Sequence, residues 1–327
     1  MLKVGIIGLG GMGHGHYKSY KKLEGVKVTA VVEARPEVAL QKIGEDDVRV
    51  YTTMDELFAN EEIDIVDICT PTYMHADMCV KALEAGYHVL CEKPLTLTNE
   101  DVARIKAAAK ASGKTFMVAH VVRFMTPYRY LAELIRSEKY GKLKKLNMRR
   151  VSKIPDWGYE NWFQDVTKSG GAALDMGVHD IDFVQSVLGM PSSTCSAYHK
   201  MHGECGNNDY LFSTLVYDDC IVSIESGWYA CDYKFEATYE AVFEKARVRC
   251  EKSRTFVGEE EVEMKLGEAA EDTGIGTTGA DGYTEEIAYF LDSVNKGITD
   301  PAYVSIDSVE NSIKLARTLI DNAITVK

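Results

Sequence analysis

Close to the N-terminus a short apolar run, Lys3-Val4-Gly5-Ile6-Ile7, passes straight into the turn Gly8-Leu9-Gly10-Gly11-Met12-Gly13, and a helical pattern follows from Met12 to Leu23. Few sequence features restrict a fold more. Gly-x-Gly-x-x-Gly is a weak signal in isolation, but a strand before it and a helix after it supply the context of a dinucleotide fingerprint. Gly8 permits the tight turn, Gly10 lets backbone approach a pyrophosphate, and Gly13 permits close packing of helix on sheet. The helix N-terminus then stabilises phosphate charge. A strand that feeds a crossover helix in this way predicts a parallel sheet covered by helices.

The first third of the chain keeps that rhythm. Further strands are expected at Val26–Val32, Val48–Tyr51, Ile63–Ile68, His88–Cys91 and Thr115–Val118. Pro36 opens one helix, and Gly86 stops another that starts near Tyr73. Thr98 and Asp101 form an expected capping box ahead of an alanine-rich helix that Gly113 ends. Beyond about Val121 the pattern changes. A helix from Thr126 to Lys139 leads into longer β-rich runs at Leu143–Val151, Ser193–His199, Tyr210–Tyr217, Cys220–Trp228, Phe235–Ala241 and Ala246–Cys250. Helical patterns recur at Met176–Leu188 and Tyr283–Asn295, and Gly258–Gly282 reads as a surface loop or hairpin region. This mix predicts an α+β second domain with a large, mostly antiparallel open sheet.

A chain of 327 residues suits two domains, expected at 1–122 and 123–327, with a final helix at 306–323 that could pack on either. A net charge of −13 argues against nucleic acid, whose phosphates it would repel. The basic run Lys139–Lys153, through Arg149 and Arg150, reads as a helix end and a solvated strand face. Eight scattered cysteines without a C-x-x-C suit a reducing compartment and supply no zinc framework, so no metal is expected. Strand-like sequence begins at Leu2 and no apolar run approaches the ~20 residues that span a bilayer. A cytoplasmic protein without membrane contact is the expectation.

Two features carry chemistry. Glu33 ends the second strand near the ~20-residue offset of a ribose-binding acid. A carboxylate there accepts bonds from both ribose hydroxyls and repels a 2′-phosphate, so NAD is favoured over NADP, though Arg35 blunts that preference. Glu92-Lys93-Pro94 ends the run His88–Cys91. Strand ends in an open parallel sheet are where ligands bind, and an ammonium held there is a candidate proton handler beside a bound nucleotide.

Together with Asp175-Met176-Gly177-Val178-His179, these motifs make the whole chain resemble the Gfo/Idh/MocA oxidoreductases, a family that includes inositol dehydrogenases and glucose–fructose oxidoreductase. Thr70-Pro71 with His75, Arg123-Phe124, and the stretch from Tyr283 to Phe290 extend the resemblance. It implies a Rossmann domain followed by a domain on a large open sheet, and homodimers or homotetramers formed through that sheet. It also implies that Lys93 and His179, with Asp175 beside them, flank the reacting hydroxyl. Gly8, Gly10, Gly11, Met12, Gly13, Glu33, Thr70, Pro71, His75, Glu92, Lys93 and Arg123 then surround the cofactor.

His179 has a suitable ordinary pKa to take a hydroxyl proton. If Asp175 and His179 share one helical turn, both converge on one hydroxyl, and Lys93 could stabilise developing alkoxide or relay the proton. Several readings stay open. His75 either faces solvent or nears the nicotinamide, and Arg123 either approaches the cofactor or forms an ion pair between domains. Trp157 and Trp162, near Asp165, suit stacking on a polyol but equally a core role. Tyr283 either contacts substrate or packs. The leading function is NAD-dependent hydride transfer on a cyclic polyol, sugar or sugar derivative. One alternative is an enzyme that keeps NAD and oxidises a sugar only transiently, acting as a glycosidase or epimerase without net redox. Another is a non-catalytic nucleotide or sugar sensor.

Overall fold

The computed structural model describes residues 1–199, 210–252, 254–263 and 282–326. By its internal contacts the chain divides into two compact units. One comprises Met1–His120 with Tyr283–Val309, the other Val121–Gly282 with Glu310–Lys327.

The first unit is built on β1 (Leu2–Ile7), α1 (Gly11–Tyr20), β2 (Val26–Val32), α2 (Pro36–Ile43), β3 (Arg49–Tyr51), α3 (Met54–Asn60), β4 (Ile65–Ile68), α4 (His75–Glu84), β5 (His88–Glu92), α5 (Asn99–Ser112) and β6 (Phe116–Ala119). The strands form one parallel sheet in the order β3-β2-β1-β4-β5-β6. Buried strands in such a sheet are nearly continuous apolar runs, and Val4, Ile6, Ile65, Val66, Ile68, Val89 and Leu90 are all fully buried. Because β1 lies between β2 and β4, the order reverses at β1, and the crevice beyond its C-terminal end is the ligand position of a doubly wound sheet. The helix starts differ from expectation in one detail. Thr98 accepts the Asp101 N–H, but the reciprocal capping box belongs to Thr53 and Glu56 at the head of α3.

The second unit contains α6 (Thr126–Ser137), β7 (Leu143–Lys153), α7 (Val166–Ser169), α8 (Gly171–Asp175), α9 (Val178–Leu188), β8 (Ser193–His199), β9 (Tyr210–Val216), β10 (Ile221–Tyr229), β11 (Glu236–Phe243), β12 (Arg247–Glu251), β13 (Arg254–Val257) and β14 (Glu260–Val262). The chain then forms α10 (Gly282–Asn295), which from Tyr283 belongs to the first unit, α11 (Ile306–Asp321) and β15 (Ile324–Val326). Within the first unit this returning segment is tied to the sheet, where the Phe116 N–H on β6 donates to the Thr299 carbonyl at 3.0 Å. Among the described residues nine strands make the second sheet, in the order β14-β13-β12-β11-β7-β10-β9-β8-β15. It is mostly antiparallel, with parallel pairs at β7–β10 and β8–β15. Strand alternation gives it one packed and one open face: on β9, Leu211, Ser213 and Leu215 are buried whereas Phe212 and Val216 are exposed.

The basic run is not merely a solvated face. Arg150 on β7 is buried, with Nη2 2.7 Å from Asp180 Oδ1 on α9 and 3.0 Å from the Tyr128 hydroxyl. Arg149 pairs with Glu225 and Glu236 on the neighbouring strands. Strand pairing and the packing of α9 on β7 supplied acidic partners that linear charge counting does not see. Of the expected loop at 258–282, Glu260–Val262 is strand, and residues 264–281 lie outside the described residues, as does Cys205.

Candidate active site

The glycine turn forms as its spacing requires. Gly8 takes φ +87°, and a Cβ there would sit 2.9 Å from the Cys69 carbonyl oxygen. At Gly13 a Cβ would stand 1.9 Å from the Gly8 carbonyl oxygen, so only glycine allows α1 this close to β1. Around Gly10 a Cβ would meet nothing within 4 Å, and Gly10 caps α1 with no side-chain bond. Gly11 and Met12 begin that helix, whose first amides are therefore available to a phosphate. Glu33 follows β2 and is buried; its Oε2 accepts the Leu9 N–H at 3.0 Å and its Oε1 the Arg35 N–H at 3.2 Å. Lys42 on α2 donates to the carbonyls of Leu9 and Gly10 at 2.7 and 2.9 Å, and burial lowers its pKa against the pull of Glu33. An open backbone cradle beside a carboxylate fits the pyrophosphate and ribose of NAD.

The ends of β4 and β5 are tied together beside this turn. Cys69-Thr70-Pro71 follows β4, and Lys93-Pro94 follows β5. His75 on α4 is buried, with Nδ1 3.0 Å from the Pro94 carbonyl and Nε2 2.9 Å from that of Thr70. It does not face solvent: burial holds its pKa below the ordinary value, and the neutral ring donates to one of these carbonyls while packing against the other, so it fills the space between the two strand ends. Lys93 is half-buried, and its backbone N–H donates to Glu92 Oε2 at 2.9 Å. Three further groups escaped the sequence reading. His16 on α1 lies between Asp67 and Glu92, with Nδ1 2.8 Å from Asp67 Oδ2 and Nε2 3.1 Å from Glu92 Oε1. Glu286 on α10 is fully buried near them. Asp67 was the available signal: it is the one charged residue in the buried run Ile65-Val66-Asp67-Ile68, and buried acids are rarely unpaired. His16, Asp67 and Cys69 place one donor atom each within 4.8 Å of one another, the only such metal-competent grouping among the described residues. Tyr283 is half-buried, its ring 6.2 Å from that of His16.

In the second unit Asp175 and His179 do not share one regular helical turn. Asp175 ends α8 and His179 is the second residue of α9, and the His179 N–H donates to Met176 at 3.3 Å. Gly177 makes the join: a Cβ there would stand 2.3 Å from the Ala173 carbonyl oxygen. Asp175 is buried and His179 half-buried. Trp162 stacks on Phe163 at 4.1 Å and packs against the cluster of Ile154, Phe163, Ala172, Met176 and Trp228, whereas Trp157 meets Phe163 edge-on and stays 53% exposed. Packing thus occupies Trp162, and Trp157 keeps an accessible face. Asp165 caps α7 by accepting the Thr167 N–H. Arg123 is buried and bidentate to Asp182 on α9 at 2.7 Å, an ion pair within the second unit.

Residues 2–120 match the oxidoreductase family with an NAD-binding Rossmann fold, and residues 128–249 match the GFO/IDH/MocA C-terminal domain. The chain belongs to the Gfo/Idh/MocA oxidoreductases. Its N-terminal unit is the NAD-binding Rossmann fold of that family. A 2,7-anhydro-N-acetylneuraminate hydratase of Mediterraneibacter gnavus is 30% identical over 65% of this chain, which spans 58% of that protein's length. An inositol 2-dehydrogenase of Rhizobium meliloti is 26% identical over 90% of this chain and 89% of its own. Among solved structures, myo-inositol 2-dehydrogenase from Lactobacillus plantarum is similar with TM-score 0.82 and 24% identity, covering 98% of this chain and 97% of that one. That likeness is one of fold. No helix of the described residues is long and apolar enough to cross a membrane.

Proposed function

We propose that this Gfo/Idh/MocA protein transfers hydride between NAD and a secondary alcohol of a cyclic polyol, sugar or sugar derivative. The observation that carries the reading is Lys93 at the end of β5, in the sheet whose glycine turn offers an open cradle at Gly10. Backbone amides at the start of α1 would hold the pyrophosphate, and Glu33 the adenosine ribose. Thr70, Pro71 and His75 shape the strand ends over which the nicotinamide would lie. When bound, the nicotinamide supplies the hydride acceptor. His179 takes the hydroxyl proton, Lys93 stabilises the developing alkoxide charge, and Asp175 orients the same hydroxyl. Trp157 offers a face for the ring C–H surface of the substrate.

The test is an absorbance screen for NADH formation across inositols, aldoses and glycosides. Lys93→Ala and His179→Ala should each lower kcat by about 100-fold or more while NADH binding persists. Turnover by both variants at the native rate would sink the assignment.

The similarity to a hydratase favours a second reading, since hydration involves no net redox. On that reading the purified protein retains NAD and converts its substrate without accumulating NADH. The open face of the second sheet, with Phe212 and Ile221 45% and 54% exposed, fits pairing with a second copy of the chain. Phe212→Asp should then lower the mass measured by light scattering, and an unchanged mass would exclude that face.

A further inference from the structure

Hydride transfer, as described, makes no use of a charged group sealed inside the first unit. His16 is fully buried on α1, and its two ring nitrogens meet carboxyl oxygens on opposite edges, Asp67 at 2.8 Å and Glu92 at 3.1 Å. A neutral imidazole carries one N–H and can donate to only one of them. The imidazolium satisfies both. Burial pulls the ring pKa down, but Asp67 and, after it, Cys69 together outweigh it and hold the pKa well above its ordinary value. Glu92 shows the same balance from the other side: burial pushes its pKa up, and His16 and Lys93 bring it below the ordinary range. The remaining Glu92 oxygen accepts the Lys93 backbone N–H at 2.9 Å. One continuous series of contacts therefore runs from Asp67 through His16 and Glu92 to the peptide of Lys93, joining α1, β4 and β5.

We propose that His16 is a positioning residue for the reaction. As a buried imidazolium it cross-links the dinucleotide helix to the strand end that carries Lys93, and it compensates the carboxylate next to that lysine. The proposal rests on the role of Lys93 given above. Glu286 completes the group: both its oxygens lack a hydrogen-bond partner, and the charges acting on it are His16, Glu92 and Asp67. One cation cannot serve three carboxylates in a dry interior. Burial and the repulsion of Glu92 and Asp67 keep the Glu286 proton in place, so His16 is shared by two acids only. Tyr20 on α1, Cys69 after β4 and Tyr283 on α10 close the remaining sides. A metal ion is the competing occupant. However, Cys69 Sγ lies 3.5 Å from His16 Nδ1 and 3.4 Å from Asp67 Oδ1, hydrogen-bond separations, and burial raises the thiol pKa. The second ring nitrogen is committed to Glu92. Geometry favours the proton.

The experiment compares the full-length protein with His16→Gln, Asp67→Asn and Glu286→Gln. The pH dependence of Lys93 acylation by a small anhydride is read by mass spectrometry, alongside NADH fluorescence titration and metal analysis. In His16→Gln the Lys93 titration should rise by about half a pH unit or more, because an uncompensated carboxylate now adjoins it. kcat should fall more than KM changes, and NADH binding should persist. Asp67→Asn, which keeps the packing, should shift the titration in a smaller measure and serves if His16→Gln does not fold. Glu286→Gln, isosteric with the protonated acid, should leave the Lys93 titration in place. An unmoved Lys93 titration in both His16→Gln and Asp67→Asn would reduce His16 to a structural role and overturn the proposal, as would a stoichiometric metal in the purified protein. A shifted titration in a protein that oxidises no alcohol would support the charge group and defeat the hydride-transfer reading instead. Turnover undiminished in Lys93→Ala would remove the role on which the proposal depends.

Discussion

Glu33 does two jobs with one carboxylate: it holds the backbone N–H groups of Leu9 and Arg35, and its position at the end of β2 suits a ribose. Removing it should therefore act twice. Glu33→Ala should relax discrimination against NADP, and it should weaken NAD binding on the order of tenfold through the lost charge-assisted bond. Fluorescence titration with both reduced cofactors separates the two effects, and an unchanged NAD/NADP ratio would end the ribose role. Its identity as a strand-terminal acid was legible because offset from the turn is a property of sequence. Its bond to Leu9 was not, since that requires β1 and β2 to lie side by side. His75 teaches the same lesson, for its ring meets not only the nearby Thr70 carbonyl but also that of Pro94, 19 residues further along the chain.

At the scale of elements, the first helix divides its glycines by function. Gly13→Ala places a methyl against the Gly8 carbonyl and should force α1 off the sheet, lowering the melting temperature and abolishing NAD binding. Gly10→Ala meets open space, so it should melt normally and lose affinity only because the methyl stands where a pyrophosphate approaches. Equal melting losses in the two variants would contradict this division. Under α9, Arg150→Ala leaves Asp180 buried without its cation and should cost about 3–5 kcal/mol in denaturant unfolding. The Asp-x-x-x-His segment could be recognised through the family resemblance, yet its break into α8 and α9 could not, because Gly177 is demanded by Ala173 and by Ser226 on β10. Capping misled in the opposite way: both Thr53 and Thr98 offer the pattern, and only Glu56 reaches back to complete it.

For the molecule as a whole, the interior charges of the first unit set a pH dependence. His16 titrates in the folded state well above its ordinary value of 6.5, so its contribution is complete below that value and is lost as pH rises through the folded one. Glu286 is likewise raised, above 4.5, and counts against the folded state on the same side once its proton is pulled. Glu92 is depressed below 4.5 and loses its contribution only as pH falls through its lower folded value. Stability should hold through mildly acidic pH and decline on the alkaline side, and His16→Gln should flatten that decline. Melting temperatures across the range check it, and parallel curves would refute it.

The glycine turn, the strand-ending Glu92-Lys93-Pro94 and the two contrasting halves of the chain needed only residue order, since short spacing, alternation and helix termini depend on neighbours along the backbone. The excursion of Tyr283–Val309 into the first unit, the buried partners of Arg150, and the meeting of His16 with Asp67 and Glu92 belong to the fold. Those pairs lie many residues apart. Only chain crossing and strand order bring such charges into contact, and only burial makes that contact strong enough to matter.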